Sequence, residues 1–301
     1  MKLRLGARGS ALSLAQARLV AVRLEGRAEV EIVTISTTGD RLSAAGSPIE
    51  WKGDFTRELD EALLDGRISL AVHSLKDVPS LVPDGIVLAA VPPREDPSDV
   101  LVAREGRLFS DLPRGARVGT SSPRRRAQLL AARPDLEVLE ARGNVDTRLA
   151  RLAEGRFDGI VLARAGLARL GRLAEVSEVL PASLLLPAIG QGALAIFARG
   201  DDAGVLSLLE TLDEEASRRE VEAERSLLAT LEAGCKAPVA GLARVRGERI
   251  AISAAVFSPD GARALREESA GHAQDAADLG RAAGERLLER GAAALMEEGG
   301  A

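Results

Sequence analysis

Residues 117–126, Arg117-Val118-Gly119-Thr120-Ser121-Ser122-Pro123-Arg124-Arg125-Arg126, read as the end of a short strand, a hydroxyl-rich turn and the start of a helix. Proline suits a first helical position, because its missing N–H would have no partner there and its φ is already helical. Backbone N–H groups at a helix start, with hydroxyls and arginines around them, suit an anion. The alternative is a capped helix with a solvated basic face. Three arginines at a helix N-terminus oppose the helix dipole, which favours Asp or Glu there. That mismatch tilts the reading toward a bound anion.

The same strand–turn–helix unit recurs on both sides. Strand-like runs fall at 2–8, 29–35, 68–72, 99–103, 136–140 and 158–163, and helix-like runs at 123–132 and 144–154. Ser10 suits the cap of a first helix with Leu12, Ala15, Leu19 and Val22 on one face, and another helix from about Asp54 aligns Phe55, Leu59, Ala62 and Leu63. Strands alternating with helices predict α/β domains with parallel sheets and ligand groups at the strand ends. The stretch 38–54, rich in Gly, Ser, Pro and charge, reads as a long exposed loop. Gly190-Gln191-Gly192 reads as backbone crossing between domains. Beyond it, residues 214–231 suggest a charged helix with Val221, Leu227, Leu228 and Leu231 inward. Two β runs near 239–246 and 249–257 and a helix from about Asp275 complete a small α+β region.

Composition narrows the function. A chain of 301 residues with 46% apolar content suits two or three domains. The net charge of −5 and an aromatic content of 2% speak against a general nucleic-acid or membrane role. No run of about 18 apolar residues appears, and the start lacks a signal-peptide apolar segment, so a cytoplasmic protein is expected. Of 40 basic residues only Lys2, Lys52, Lys76 and Lys236 are lysines, and Asn144 is the single asparagine. Such a skew fits a heat-adapted or Arg-biased source.

Rare residues therefore draw notice. Asn144 stands in Arg142-Gly143-Asn144-Val145-Asp146-Thr147-Arg148, another strand end followed by a Gly turn and a helix start, where Asn is also a common cap. Arg148 falls one turn in, and Arg8, Ser10 and Arg169 stand at further element ends. Each alone suits a surface ion pair, but arginine repeated at strand ends suits bidentate carboxylate or phosphate recognition. In His73-Ser74-Leu75-Lys76-Asp77, Asp77 is a candidate acid/base or electrostatic group just past an apolar strand. Cys235, the only cysteine, sits in the turn-prone Glu232-Ala233-Gly234-Cys235-Lys236-Ala237-Pro238 and cannot form an intrachain disulfide. A buried filler and a reactive thiol both remain open. With His73 and His272 the only histidines, a Cys–His protease pair has few parts, and metal-ligand spacing is absent.

Taken in order, Ala71-Val72-His73-Ser74-Leu75-Lys76-Asp77-Val78-Pro79, Arg94-Glu95-Asp96-Pro97, Gly119-Thr120-Ser121-Ser122, Arg142-Gly143-Asn144-Val145, Pro187-Ala188-Ile189-Gly190-Gln191-Gly192 and Gly234-Cys235 resemble the porphobilinogen deaminases over nearly the whole chain. The resemblance implies two α/β domains of the type II periplasmic-binding-protein kind, 1–93 with 190–212 and 94–189, and a small α+β domain, 213–301. It implies a dipyrromethane cofactor held by a thioether at Cys235, and a transferase that condenses four porphobilinogen molecules with loss of ammonia. By the same resemblance Asp77 is catalytic. Lys76, Thr120, Ser121, Ser122, Arg124, Arg125 and Asn144 surround the cofactor, Arg8, Ser10, Arg142, Arg148 and Arg169 face substrate, and Lys52 and Phe55 belong to a covering loop. No obligate protein partner is implied, and a monomer is expected. Pro123, Asp54 and Asp146 depart from the family pattern, and Asp146 is expected to point away from an anion site. A non-catalytic carboxylate-binding protein on the same two-domain fold is the competing reading.

Overall fold

The computed structural model describes residues 1–44, 52–232 and 237–297. In chain order its elements begin with β1 (Lys2–Arg8), α1 (Ala11–Arg23), β2 (Glu29–Ile35), α2 (Thr38–Ala44), α3 (Arg57–Leu64), β3 (Leu70–Ser74) and β4 (Ile86–Ala90). They continue with β5 (Asp99–Ala103), β6 (Arg117–Gly119), α4 (Pro123–Ala132), β7 (Glu137–Leu139), α5 (Val145–Ala153), β8 (Gly159–Ala163), α6 (Arg164–Arg169) and β9 (Glu178–Leu180). Then follow β10 (Leu194–Arg199), α7 (Ala203–Glu210), α8 (Glu215–Thr230), β11 (Val239–Arg246), β12 (Arg249–Phe257), β13 (Ala264–His272), α9 (Ala276–Glu289) and α10 (Ala292–Glu297). The chain divides into two compact units, Met1–Glu95 with Ala193–Arg218, and Asp96–Gly192 with Arg219–Ala301.

The first unit is built on a sheet of order β2-β1-β3-β10-β4. β1 runs parallel to β2 and β3, while β10 runs antiparallel to β3 and β4. Leu3, Leu5, Leu70, Val72, Ile196 and Val20 form part of one core on this sheet. The rotation of α1 differs from the sequence expectation. Ser13, Gln16, Ala17 and Val20 are its buried residues, whereas Leu19 is 39% and Val22 59% exposed. Polar partners fix that rotation: Ser13 Oγ accepts from the Arg8 N–H at 3.0 Å, and Gln16 Nε2 donates to Ser74 Oγ at 2.7 Å. Burying hydrogen-bonded polar groups costs little, so the helix turns its bonded face to the sheet.

The described part of the expected 38–54 loop is also helical, as α2 and a 3₁₀ turn at Lys52–Phe55. Thr37 and Asp40 explain α2. The Asp40 N–H donates to Thr37 Oγ1 at 3.2 Å and the Thr37 N–H donates to Asp40 Oδ2 at 3.4 Å, a reciprocal cap.

The second unit holds two sheets. One, of order β7-β6-β8-β5-β9, repeats the pattern of the first unit: β6 runs parallel to β7 and β8, and β5 antiparallel to β8 and β9. Both α/β sheets are therefore mixed, not parallel as expected, because each receives one reversed strand, β10 or β5. The other sheet is the antiparallel meander β11-β12-β13, whose core includes Leu227 and Leu231 of α8, Ile250 and Ile252 of β12, and Ala283 and Leu287 of α9. Val221, Leu227, Leu228 and Leu231 are buried, as the periodicity of 214–231 predicts. A smaller apolar cluster of Ala127, Leu186, Ala240, Ala255 and Phe257 joins α4 to β11 and β12.

Candidate functional site

Within the first unit, Arg8, Ser10, Phe55 and Asp77 line one pocket, together with His73 and Ser74. Each reaches it from an element end. Arg8 closes β1, and Ser10 caps α1 by accepting the Ser13 N–H at 3.2 Å. Asp77 ends a 3₁₀ turn, Leu75–Asp77, that directly follows β3. The turn is pinned by the Leu75 N–H on Ala193 O at 3.0 Å and by the Val78 N–H on Leu75 O at 3.0 Å. Lys76 and Asp77 are both half-buried there.

Arg8 donates from Nε to both oxygens of Asp40, at 3.0 and 3.2 Å, and its guanidinium lies 4.0 Å above the Phe55 ring centre. Burial raises the Asp40 pKa, but the Arg8 hydrogen bond and charge, with Thr37, outweigh it and hold the carboxyl below its usual range. His73 is 5% exposed and sits edge-on to Phe197, with ring centres 5.9 Å apart. Burial, with the nearby Arg8 charge, pushes its pKa down to about 4. The imidazole is therefore neutral near pH 7, and Nε2 is buried without a hydrogen-bond partner.

In the second unit the remaining groups gather at the C-terminal ends of the neighbouring parallel strands β7, β6 and β8, where α/β sheets place ligands. After β6, the buried Thr120 accepts the Ser122 N–H at 3.2 Å, Ser121 is exposed, and Ser122 caps α4 with Pro123 at its first positions. After β7, Asn144 caps α5 by accepting the Thr147 N–H at 2.8 Å, and Arg148 Nε donates to Gly143 O at 2.9 Å. Gly143 has φ +100°, and a Cβ there would lie 2.9 Å from Thr147 Cβ, so the turn demands glycine. Arg142 pairs with Glu140 at 2.7 Å, and Arg169 in α6, after β8, donates to Gly192 O at 2.6 Å. Asp146 pairs with Arg172 and its side chain is 51% exposed.

The three arginines of α4 part company. Arg126 is exposed and donates to Val138 O at 2.5 Å. Arg124 and Arg125 are buried beneath the turn and share Asp99, at 2.7 Å each. Arg124 also donates to Leu186 O at 2.6 Å, Arg125 to Val161 O at 2.9 Å, and Gln191 Nε2 to Asp99 Oδ1 at 2.9 Å. Burial raises the Asp99 pKa, but the charges of Arg124 and Arg125 and the hydrogen bonds from Arg125 and Gln191 outweigh it and hold it at about 2. This answers the mismatch with the helix dipole: a buried carboxylate partly neutralises two of the three cations. Asp99, Asp40 and Gln191 are the polar residues that sequence reasoning missed. The one available signal for Asp99 was a carboxylate heading an otherwise apolar strand, Asp99-Val100-Leu101-Val102-Ala103.

Cys235 and the side chain of Lys52 lie outside the described residues. Among the described residues, no group of three or more His, Cys, Asp or Glu is placed to hold a metal ion, and no helix is long and apolar enough to cross a membrane. Hydroxyls, backbone N–H groups at two capped helix starts and half-buried arginines are groups that bind carboxylates. Their donor set fits the acetate and propionate arms of a pyrrole chain such as dipyrromethane.

Comparison with known proteins agrees. The family described as "Porphobilinogen deaminase, dipyromethane cofactor binding domain" matches residues 3–207, and "Porphobilinogen deaminase, C-terminal domain" matches residues 218–289. A curated porphobilinogen deaminase of Rubrobacter xylanophilus is 50% identical over 297 residues, 98% of this chain and 96% of that protein. That of Desulforudis audaxviator is 49% identical over 295 residues, 97% and 96%. Likeness to solved structures is remote: the Bordetella pertussis BvgS VFT2 domain aligns at a TM-score of 0.42 and 15% identity, over 70% of this chain and 86% of that one. On its sequence matches, the chain belongs to the porphobilinogen deaminase family.

Proposed function

We propose that this chain condenses four porphobilinogen molecules head to tail, releasing ammonia at each step, and frees hydroxymethylbilane by hydrolysis, with Asp77 as its catalytic carboxylate. The observation that carries the reading is that Asp77 and Arg8, a carboxylate and an arginine, line one pocket. Cys235 would hold the dipyrromethane by a thioether, and the group would supply there the nucleophilic pyrrole carbon on which the product is primed. Porphobilinogen carries an acetate, a propionate and an aminomethyl group. Arg8 and Ser10 bind and orient a substrate carboxylate, and Arg142, Arg148 and Arg169 are likewise assigned to substrate carboxylates. Once the C–N bond of the protonated aminomethyl arm breaks and its nitrogen leaves as ammonia, the methylene carbon stays on the pyrrole as a cationic azafulvenium, and the Asp77 carboxylate stabilises that charge electrostatically. His73, neutral near pH 7, adds no competing positive charge.

In the second unit, Thr120, Ser121, Ser122 and Asn144 present hydroxyl, amide and helix-start N–H groups to the cofactor carboxylates, and Lys76 is likewise assigned to the cofactor. Arg124 and Arg125 serve the same site from beneath it, with Asp99 fixing where their charge lies. Lys52 and Phe55 belong to the covering segment. The proposed domains are 1–93 with 190–212, 94–189 and 213–301, the last carrying the cofactor cysteine. A cytoplasmic monomer without protein or nucleic-acid partners completes the reading.

Asp77→Asn tests it. The variant should keep the cofactor mass and its melting temperature while kcat falls by about 100-fold or more, the scale of losing one preorganised electrostatic group. Turnover within a few-fold of wild type would remove Asp77 from the role.

A further inference from the structure

Arg8 already grips a carboxylate. Its Nε donates to both Asp40 oxygens, at 3.0 and 3.2 Å, and its Nη2 donates to Asp40 Oδ1. This is the fork geometry with which arginine holds carboxylates in general. Asp40 does not come from the strand that carries Arg8. It belongs to α2, where the Thr37 hydroxyl donates to its Oδ2 at 2.8 Å. Neither partner is deeply buried, with side chains 20% and 24% exposed. The pair is stacked as well as bonded. Phe55 lies under the guanidinium, and Gly39 packs so close to the same ring that a Cβ would meet it at 2.4 Å. Arg8 and Phe55 also line the pocket that holds Asp77. Burial and Arg8 act on the Asp40 carboxyl in opposite directions and Arg8, with Thr37, prevails, so the group is ionised at neutral pH.

An arginine that receives a substrate carboxylate cannot offer the same fork to Asp40. The geometry points to Asp40 as a placeholder that occupies Arg8 until an acetate or propionate of the incoming pyrrole displaces it, so that Asp40 sets the affinity and carboxylate specificity of that subsite. This rests on the deaminase reading above. Opening the pair subtracts from the affinity Arg8 would otherwise deliver, and only a ligand bearing a carboxylate at the right place repays it. A neutral analogue gains nothing at Arg8 and leaves the pair closed.

The test compares full-length wild type, Asp40→Asn and Thr37→Val for KM toward porphobilinogen, for inhibition by free propionate, and for intact mass. Removing the internal competitor should lower KM by about three- to tenfold, the size of a partly exposed ion pair, and lower the propionate inhibition constant in parallel. Thr37→Val, which loosens Asp40 without removing it, should move both constants the same way by a smaller factor, and it decides the matter if Asp40→Asn does not fold. An unchanged or raised KM in a folded variant whose wild type is active and carries the cofactor mass overturns the placeholder alone, because a residue that merely orients Arg8 would weaken binding on removal. An inactive, unmodified wild type overturns the deaminase reading and the placeholder with it.

Discussion

Asp99 supplies the counter-charge for two buried arginines of the second unit. It is 0% exposed and faces Arg124 and Arg125, themselves 3% and 5% exposed. Asp99→Ala would leave two buried guanidinium groups without their counter-charge, a change that typically costs about 3–5 kcal/mol. A large fall in the urea midpoint of unfolding should result, and a shift of only a few tenths of a molar would contradict the account. Acidity probes the same residue. The Asp99 pKa is depressed when folded, so its contribution is whole above the ordinary value of 3.8 and is lost as pH falls toward about 2. His73 acts earlier. Its folded pKa is also depressed, from 6.5 to about 4, so protons favour the unfolded chain across that window. Its stabilising contribution is whole above pH 6.5 and falls by on the order of 3 kcal/mol by pH 4. In His73→Phe the decline of stability between pH 6.5 and 4 should be shallower than in wild type. Equal slopes would show that His73 takes up its proton at the same pH in the folded and unfolded chain, and would contradict the depressed pKa.

Among the elements, two glycines set how closely helices approach. In α9 a Cβ at Gly280 would lie 2.0 Å from Ala223 O of α8. Alanine is ordinarily worth about 1 kcal/mol over glycine inside a helix, so Gly280→Ala isolates the packing. We expect a lower melting temperature despite the better helix former, and a rise would contradict the α8–α9 contact. Gly261, with φ +76°, brings the β12–β13 turn so close to α4 that a Cβ would meet Ala127 O at 2.1 Å. The sequence made such local features legible where one residue has one physical job. Ser10 and Asn144 cap the helices whose starts they mark in the sequence, and Pro123 opens α4. Elements whose signal depends on tertiary context were not legible. β10, Leu-Ala-Ile-Phe-Ala-Arg, is buried on both sides and shows no alternation, and β13, Ala264–His272, is so polar that its period of two carries no apolar face. Because β10 carries no strand signal and nothing local marks β5 as reversed, the sequence points to parallel sheets where the fold has mixed ones. The rotation of α1 was hidden for a related reason, since Ser13 and Gln16 go inward only because Arg8 and Ser74 meet them.

At the scale of the whole molecule, the proposed function gives donor-rich strand ends, a carboxylate and a lone cysteine one common purpose, a substrate that is anionic at its arms and cationic at its reacting carbon. The motifs that carry this were readable in order along the chain, and the family matches over residues 3–207 and 218–289 agree with them. Asp99 and Asp40 were not readable, because each is defined by an arginine 26 or 32 residues away that only folding brings near. The central claim is that Cys235 is a permanent tether and not a recycling nucleophile. Intact-protein mass spectrometry of the purified wild type and Cys235→Ser tests it most directly. The account predicts a wild-type mass above that of the 301-residue chain by one dipyrromethane unit, with that increment and activity both absent from Cys235→Ser. A wild-type protein that is fully active at the unmodified mass would contradict it.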